Sequence, residues 1–462
     1  LNEVQRSRRG MNPEELEQLL LKIIQDFRTT APLHSGLDYD EIKSRLMPFT
    51  LDEPGGIDAV VRAIDAYFDT SVNTGHPGFL RAFWGPSEPS SIVASLLSDV
   101  RNTTMHSFAV APSATIIETE MIKAISNLAG FPGYGIFTTG GSNSNEMGFL
   151  CAREDALPGS SITGLSGQNL RAFASVEAHY SVDAAANMMG IGTDALIRIP
   201  CINGQMDPLA LDKAIIQEKQ EGNLPFIILS TAGTTVRGSF DDLNAISEIA
   251  QKHGIWHHVD AAWGGAALFS DRHNHFLNGI EKADSFAFDA HKMIGSSMVC
   301  SAFLVNDESI LSRTMSHTYK GDYLFDDPNR DLSLGRISPQ CGRRADALKL
   351  WLSWIELGKK GLGERVDSCI SVSKHLSNLV NNHPKLTLIS YSFSNVCIRF
   401  SPRLNETVEQ GNHRVRMARN YLEEHAKSMV LDSILDNQLV IRFTASHPKV
   451  NNKAVEKFLS DL

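Results

Sequence analysis

The chain has 462 residues, 42% of them hydrophobic and 21% charged, enough to bury a large core with no disulfide or metal staple. Its formal net charge is −10 and it carries no long basic run, which argues against nucleic acid as a partner, since that needs clustered Lys and Arg. No apolar stretch reaches about 18 residues and no signal peptide opens the sequence, so no membrane role is expected and a soluble, cytoplasmic protein is.

Leu16, Leu19, Leu20, Ile23, Ile24 and Phe27 recur at helical spacing, which predicts a helix over 13–27 with Asn12 as N-cap and Pro13 in its first position. Residues 57–68 repeat the pattern. This N-terminal helical segment, 1–75, has little core of its own and is expected to pack on something else, a second subunit among the options. From His76 onward short apolar runs alternate with helical stretches. Ile136-Phe137 and residues 171–176, 225–230, 255–259, 285–288 and 302–305 read as strands, with helices such as 243–253 between several of them. That alternation predicts an α/β unit over 76–344, a mostly parallel sheet with helices on both faces. The texture then changes. An amphipathic helix over 345–357 leads into helices mixed with strand-like runs at 396–400 and 439–443, which predicts a small α+β C-terminal domain over 345–462. The six cysteines, Cys151, Cys201, Cys300, Cys341, Cys369 and Cys397, form no CxxC pair and read as free thiols of a reducing compartment.

Ligands of an open α/β sheet bind beyond the carboxyl ends of its strands, so the residues after each predicted strand carry the information. They are Thr138-Thr139-Gly140-Gly141-Ser142, Glu177-Ala178-His179-Tyr180-Ser181, Thr231-Ala232-Gly233-Thr234-Thr235, Asp260-Ala261-Ala262-Trp263 and Asp289-Ala290-His291-Lys292. Singly, each has a structural explanation: a tight turn at Gly140-Gly141, an ion-paired Asp260, a hydrogen-bonded His179, a paired Lys292. Together they match one chemistry. A pyridoxal 5'-phosphate site needs a lysine amine for the cofactor's aldehyde, a carboxylate to keep the pyridine nitrogen protonated, and an anion cradle at a helix start. Asp260 and Lys292 are one strand–helix–strand crossover apart, which predicts nearby strands. A metal centre is not expected: His253, His257, His258, His273 and His275 show no HExxH spacing.

The chain resembles the group II pyridoxal-phosphate-dependent decarboxylases, the family of glutamate, cysteine-sulfinate and aromatic-amino-acid decarboxylases. The matching segments are Asn73-Thr74-Gly75-His76-Pro77, residues 139–145, Ala178-His179-Tyr180-Ser181, Gly190-Ile191-Gly192-Thr193-Asp194, residues 258–265 (His-Val-Asp-Ala-Ala-Trp-Gly-Gly), Ala290-His291-Lys292 and Gln340-Cys341-Gly342-Arg343-Arg344. The resemblance implies the fold type I architecture of pyridoxal-phosphate enzymes, that of the aspartate aminotransferases. It implies Lys292 as the cofactor lysine, Asp260 on the pyridinium nitrogen, His179 stacked on one face of the ring and Ala262 against the other. By the same resemblance Gly141, Ser142, Thr235 and His291 would hold the phosphate and its surroundings. One departure stands out: the family often has Asn two residues before that His, and this chain has Asp289, an acid unfavourable near a phosphate. The resemblance also implies a homodimer with the active site at the interface, the segment around Phe83 reaching the partner's pocket.

The implied reaction is decarboxylation of an L-amino acid, with a loop tyrosine returning the proton to Cα. Tyr323 best matches that tyrosine and Tyr319 rivals it. Trp263-Gly264-Gly265 and the Gln340–Arg344 segment resemble the branch that takes acidic substrates, glutamate, aspartate or cysteine sulfinate. Arg442 lies where that branch has a carboxylate-binding arginine, and a structural ion pair is its alternative. His76 belongs to the expected substrate side. Phe83 and Trp84 fit either an apolar slot, as in the aromatic branch, or plain core. Two other activities stay open: aromatic-amino-acid decarboxylation, and decarboxylation-dependent oxidative deamination to an aldehyde.

Overall fold

The computed structural model describes residues 11–28, 31–47, 55–315, 325 and 328–462. The first helix, Pro13–Arg28, starts as its sequence predicts: Asn12 Oδ1 accepts from Glu15 N at 2.9 Å and Glu15 Oε2 accepts from Asn12 N at 2.9 Å, a reciprocal cap. Helix Gly56–Thr70 follows after Tyr39–Leu46.

Seven strands build the central sheet: β1 (Tyr134–Thr138), β2 (Leu170–Ser175), β3 (Leu196–Ile199), β4 (Leu224–Thr231), β5 (Trp256–Asp260), β6 (Ser285–Asp289) and β7 (Ser301–Val305). Their spatial order is β3-β2-β4-β5-β6-β7-β1. Neighbours from β3 to β6 pair parallel, while β7 runs antiparallel to both β6 and β1. Every residue of β5, β6 and β7 is buried, as a parallel sheet with both faces covered requires. Sequence reasoning passed over β3. Its four residues include Arg198, which interrupts the apolar run and pairs with Asp183 outside the sheet.

The C-terminal unit is a four-stranded antiparallel sheet of β8 (Leu386–Ser392), β9 (Asn395–Phe400), β10 (Leu431–Leu435) and β11 (Gln438–Thr444), in the order β8-β9-β11-β10. It is joined to the large sheet by the helical run Ala347–Asn381, which breaks at Gly358, a residue with φ 63°. The helix predicted over 345–357 therefore stops where the sequence says, and a second helix follows it. Asn395 binds the carbonyls of Thr235 and Val236 and receives the indole N–H of Trp263, which locks this sheet onto the large unit.

The stretch from His76 to Phe83 also belongs to this junction. Phe79 bridges Met429, Leu80 N donates to Met429 O at 2.9 Å, and Thr444 N donates to Leu80 O at 3.2 Å. Leu33 is buried against Phe79, Ala82 and Met429, so the N-terminal segment rests partly on the C-terminal unit of its own chain. Among the described residues no helix is long and apolar enough to cross a membrane.

Candidate active site

The carboxyl ends of β1, β2, β4, β5 and β6 form one rim. Asp260 closes β5 opposite Ala287 of β6, and Asp289 lies two residues further along β6. Side chains alternate along a strand, so both carboxylates stand on the same face of the sheet. Helix Gly141–Ala156 covers that face and begins at the rim. Its N-cap, Gly140, has φ 129°, a conformation L side chains rarely adopt. A Cβ at Gly141 would come within 2.8 Å of Asp289 Oδ2 and 3.1 Å of the Ala262 methyl, so the absence of a side chain keeps the helix start open. The first backbone amides there, at Gly141 and Ser142, have no intrahelical acceptor, which leaves the helix start free to receive an anion.

Lys292 follows β6 in a tight turn, with Lys292 N donating to Asp289 O at 3.2 Å and Gly295 N to Lys292 O at 3.0 Å. The turn sets its ammonium 3.0 Å from Asp289 Oδ2, and His291 Nε2 lies 3.8 Å from the same oxygen. Burial pushes the Asp289 carboxyl up, but the charges of Lys292 and His291 outweigh it and hold the group below its ordinary range. The acid singled out in the sequence is thus ion-paired to the lysine. His291 Nδ1 sits at the backbone of Cys300, 3.1 Å from its carbonyl and 3.2 Å from its N–H, and burial lowers its pKa.

Asp260 is buried and doubly held. Asn145 Nδ2 donates to Oδ2 at 2.9 Å and Ala262 N donates to Oδ1 at 3.1 Å. The second hydrogen of Asn145 goes to Ser181 Oγ at 2.8 Å, and Ser181 Oγ lies 2.9 Å from His179 Nδ1. Burial lowers the His179 pKa, opposed by the nearby charge of Asp260 and reinforced by Lys292, so all three groups share one electrostatic neighbourhood. Behind Asn145, His258 Nε2 meets its Oδ1 at 3.0 Å. Asn145, Ser181 and His258 were missed as functional residues, although each lies inside a motif quoted from the sequence. The readable signal was His258 and Asp260 at strand spacing, which places both side chains on one face.

Arg442, on β11, is buried. Its Nη1 donates to Thr235 O at 2.8 Å and its Nη2 to Arg81 O, and its Nε has no partner among the described residues. Burial pushes its pKa down to about 10. Its partners are backbone carbonyls, so the structural ion pair considered for it is not what holds it. The Phe83 ring meets both cations, 4.8 Å from Arg442 Cζ and 5.9 Å from Lys292 Nζ, and packs on Trp263 at 4.4 Å. Phe83 thus borders the lysine of its own chain. The cause is the pairing of Leu80 with the C-terminal sheet. Trp84 turns away toward Phe79 at 6.5 Å and is substantially exposed. His76 is not drawn to this cluster: its Nδ1 accepts from Gly78 N at 3.0 Å and it feels the charge of Lys457. Thr235 enters through its carbonyl, as a brace for Arg442. Tyr323 and Tyr319 lie outside the described residues.

These residues fit pyridoxal phosphate: a partly exposed lysine amine, a fixed carboxylate on the neighbouring strand, and a helix start kept open by a missing side chain.

A family model described as pyridoxal-dependent decarboxylase conserved domain matches residues 42–401. A cysteine sulfinic acid decarboxylase of Mus musculus is 38% identical over 339 residues, covering 72% of this chain and 69% of the relative. An acidic amino acid decarboxylase, GADL1, of Mus musculus is 38% identical over 348 residues, covering 74% of this chain and 63% of the relative. The crystal structure of mouse CSAD in apo form superimposes with a TM-score of 0.92 at 28% identity, over 97% of this chain and 98% of that one.

Proposed function

Because the chain belongs to the pyridoxal-dependent decarboxylase family, we propose that it removes the α-carboxylate of an acidic L-amino acid as carbon dioxide, leaving the amine. When bound, pyridoxal phosphate supplies a conjugated ring that takes up the electron pair left at Cα as carbon dioxide departs. Lys292 would bond the cofactor's aldehyde. Asp260 would keep the ring nitrogen protonated, and its two hydrogen bonds hold it in place for that task. Helix Gly141–Ala156 offers its first amides to the phosphate, with Ser142 and His291 beside it. His179 and Ala262 would flank the ring. Phe83 and Trp263 close the substrate side with apolar surface and exclude water from it.

The observation that carries the acidic substrate is Arg442. A buried guanidinium that shares the Phe83 ring with Lys292, with an N–H left unpaired among the described residues, suits a carboxylate or sulfinate. The relatives named for cysteine sulfinic acid and acidic amino acids point the same way. The Phe83–Trp263 pair favours an aromatic substrate as the second reading. Tyr323 is the proposed proton donor to Cα.

The test is a panel of amino acids scored for carbon dioxide, amine, peroxide and ammonia. Cysteine sulfinate, aspartate or glutamate should give equal carbon dioxide and amine. Turnover confined to aromatic substrates would replace the acidic reading, and peroxide with ammonia would replace simple decarboxylation. Lys292→Ala should abolish both the visible absorption band of the loaded enzyme and carbon dioxide release; retention of both would remove Lys292 from the chemistry.

The proposal includes a cytoplasmic homodimer. Free thiols at Cys151, Cys300 and Cys369 suit a reducing compartment. Helix Pro89–Arg101 exposes Val93, Leu96, Leu97 and Val100, an i, i+3, i+4, i+7 stripe, and helix Pro13–Arg28 exposes Leu16, Ile23 and Ile24. A second copy is the occupant that would cover them. Sedimentation should give twice the chain mass, and a fully active monomer would refute the dimer.

A further inference from the structure

The hydrogen bonds behind the rim form a chain whose direction is fixed at its ends. Asp260 as a carboxylate only accepts, so the Asn145 atom 2.9 Å from it is the amide nitrogen. The Asn145 oxygen then faces His258 Nε2 at 3.0 Å, and that ring nitrogen must carry a proton. His258 is fully buried and its pKa is pushed down to about 3 by burial, so the ring is neutral and Nδ1 is bare. Ser285 therefore donates its hydroxyl hydrogen to Nδ1 at 2.8 Å while accepting from the Trp256 indole, which only donates, at 2.8 Å. On the other side, Ser181 Oγ accepts from Asn145, and the Ser181 backbone N–H, which only donates, lies 3.2 Å from His179 Nδ1. His179 Nδ1 is thus an acceptor, and a neutral His179 keeps its proton on Nε2.

We propose that Asn145 is a positioning residue of the active site: its one amide, oriented from behind by Trp256, Ser285 and His258, fixes Asp260 as an acceptor and, through Ser181, holds His179 in the Nε2–H form. His179 then offers the bound reactants a hydrogen-bond donor rather than a lone pair. The inference deepens the reading of the site given above and rests on it. Its physical basis is that a buried amide flanked by a carboxylate, a hydroxyl and an imidazole has one orientation that satisfies all of them.

The test is nitrogen NMR of the holoenzyme labelled with ¹⁵N-histidine, with resonances assigned by His179→Gln and His258→Gln. Both rings should show a bare Nδ1 and a protonated Nε2. A protonated Nδ1 on either ring overturns the proposal. Asn145→Asp preserves shape but replaces the donor with an acceptor. Its cofactor affinity, read from the visible band, should fall at least about tenfold while circular dichroism stays unchanged. Unchanged affinity in a folded Asn145→Asp protein also overturns it. If that variant does not fold, the tautomers of the unsubstituted holoenzyme decide alone. Tautomers as stated together with a visible band that survives Lys292→Ala would leave this proposal standing and bring down the assignment of Lys292 instead.

Discussion

Asp289 places a carboxylate beside the helix start where an anion is expected, with its Oδ2 only 2.8 Å from where a Gly141 Cβ would stand. Lys292 and His291 keep it charged, and its Oδ1 has no hydrogen-bond partner among the described residues. Two like charges about 5 Å apart repel by roughly 3 kcal/mol at an effective dielectric of about 20, and the neighbouring cations offset only part of this. Asp289 has a second effect, because its Oδ2 engages Lys292 Nζ at 3.0 Å, a contact the lysine must give up to reach an aldehyde. Both effects have the same sign. Asp289→Asn should therefore bind pyridoxal phosphate about tenfold more tightly and capture it faster, as followed by the rise of the visible band on adding cofactor to the stripped protein. Weaker binding in the variant would mean that the lysine–carboxylate pair helps to build the site.

At the scale of elements, what the sequence disclosed and what it hid have different physical causes. The strands that carry Asp260 and Lys292 were legible because burial on both faces demands unbroken apolar runs, and each run ends in its functional residue. The rim was legible for the same reason, since parallel strands put all their carboxyl ends on one side. Hidden were interactions between segments distant in sequence. Nothing local tells that Leu80 pairs with Met429 and thereby brings Phe83 to its own chain's Lys292. Likewise nothing local shows that Arg365, deep in the helical run Ala347–Asn381, donates to Met293 O at 2.6 Å and pairs with Glu88. That arginine clamps the turn holding Lys292 to the C-terminal unit, and alanine is the smallest side chain that would crowd it from Gly295, where a Cβ would meet Arg365 Nη2. Asn145 was in plain view as a residue, but its role depends on three partners from three other elements.

For the whole molecule, the buried imidazoles set how stability depends on pH. Burial pushes His257, His258 and His447 down to about 3, from an ordinary value of 6.5. A depressed histidine pKa means that the unfolded chain binds protons the folded chain refuses. Stability from these three groups is complete above pH 6.5 and is lost as pH falls from there toward 3. Once the unfolded rings are protonated, the loss approaches about 4 kcal/mol per pH unit for three protons. Asp241 acts oppositely: burial pushes it up to about 6, so it favours the folded state at low pH and ceases to do so as pH rises through 6. One proton cannot offset three, so the balance is acid destabilisation. The thermal midpoint should be nearly flat from pH 8 to 7 and fall increasingly steeply from 6.5 to 5. His257→Gln can keep a hydrogen bond to Ser230 or Ser247 without titrating, and should make the fall shallower by one proton's worth. A midpoint that holds steady or rises on acidification from pH 7 to 5 would show that the buried imidazoles gain protons without unfolding, and would contradict the neutral His258 on which the orientation of Asn145 depends.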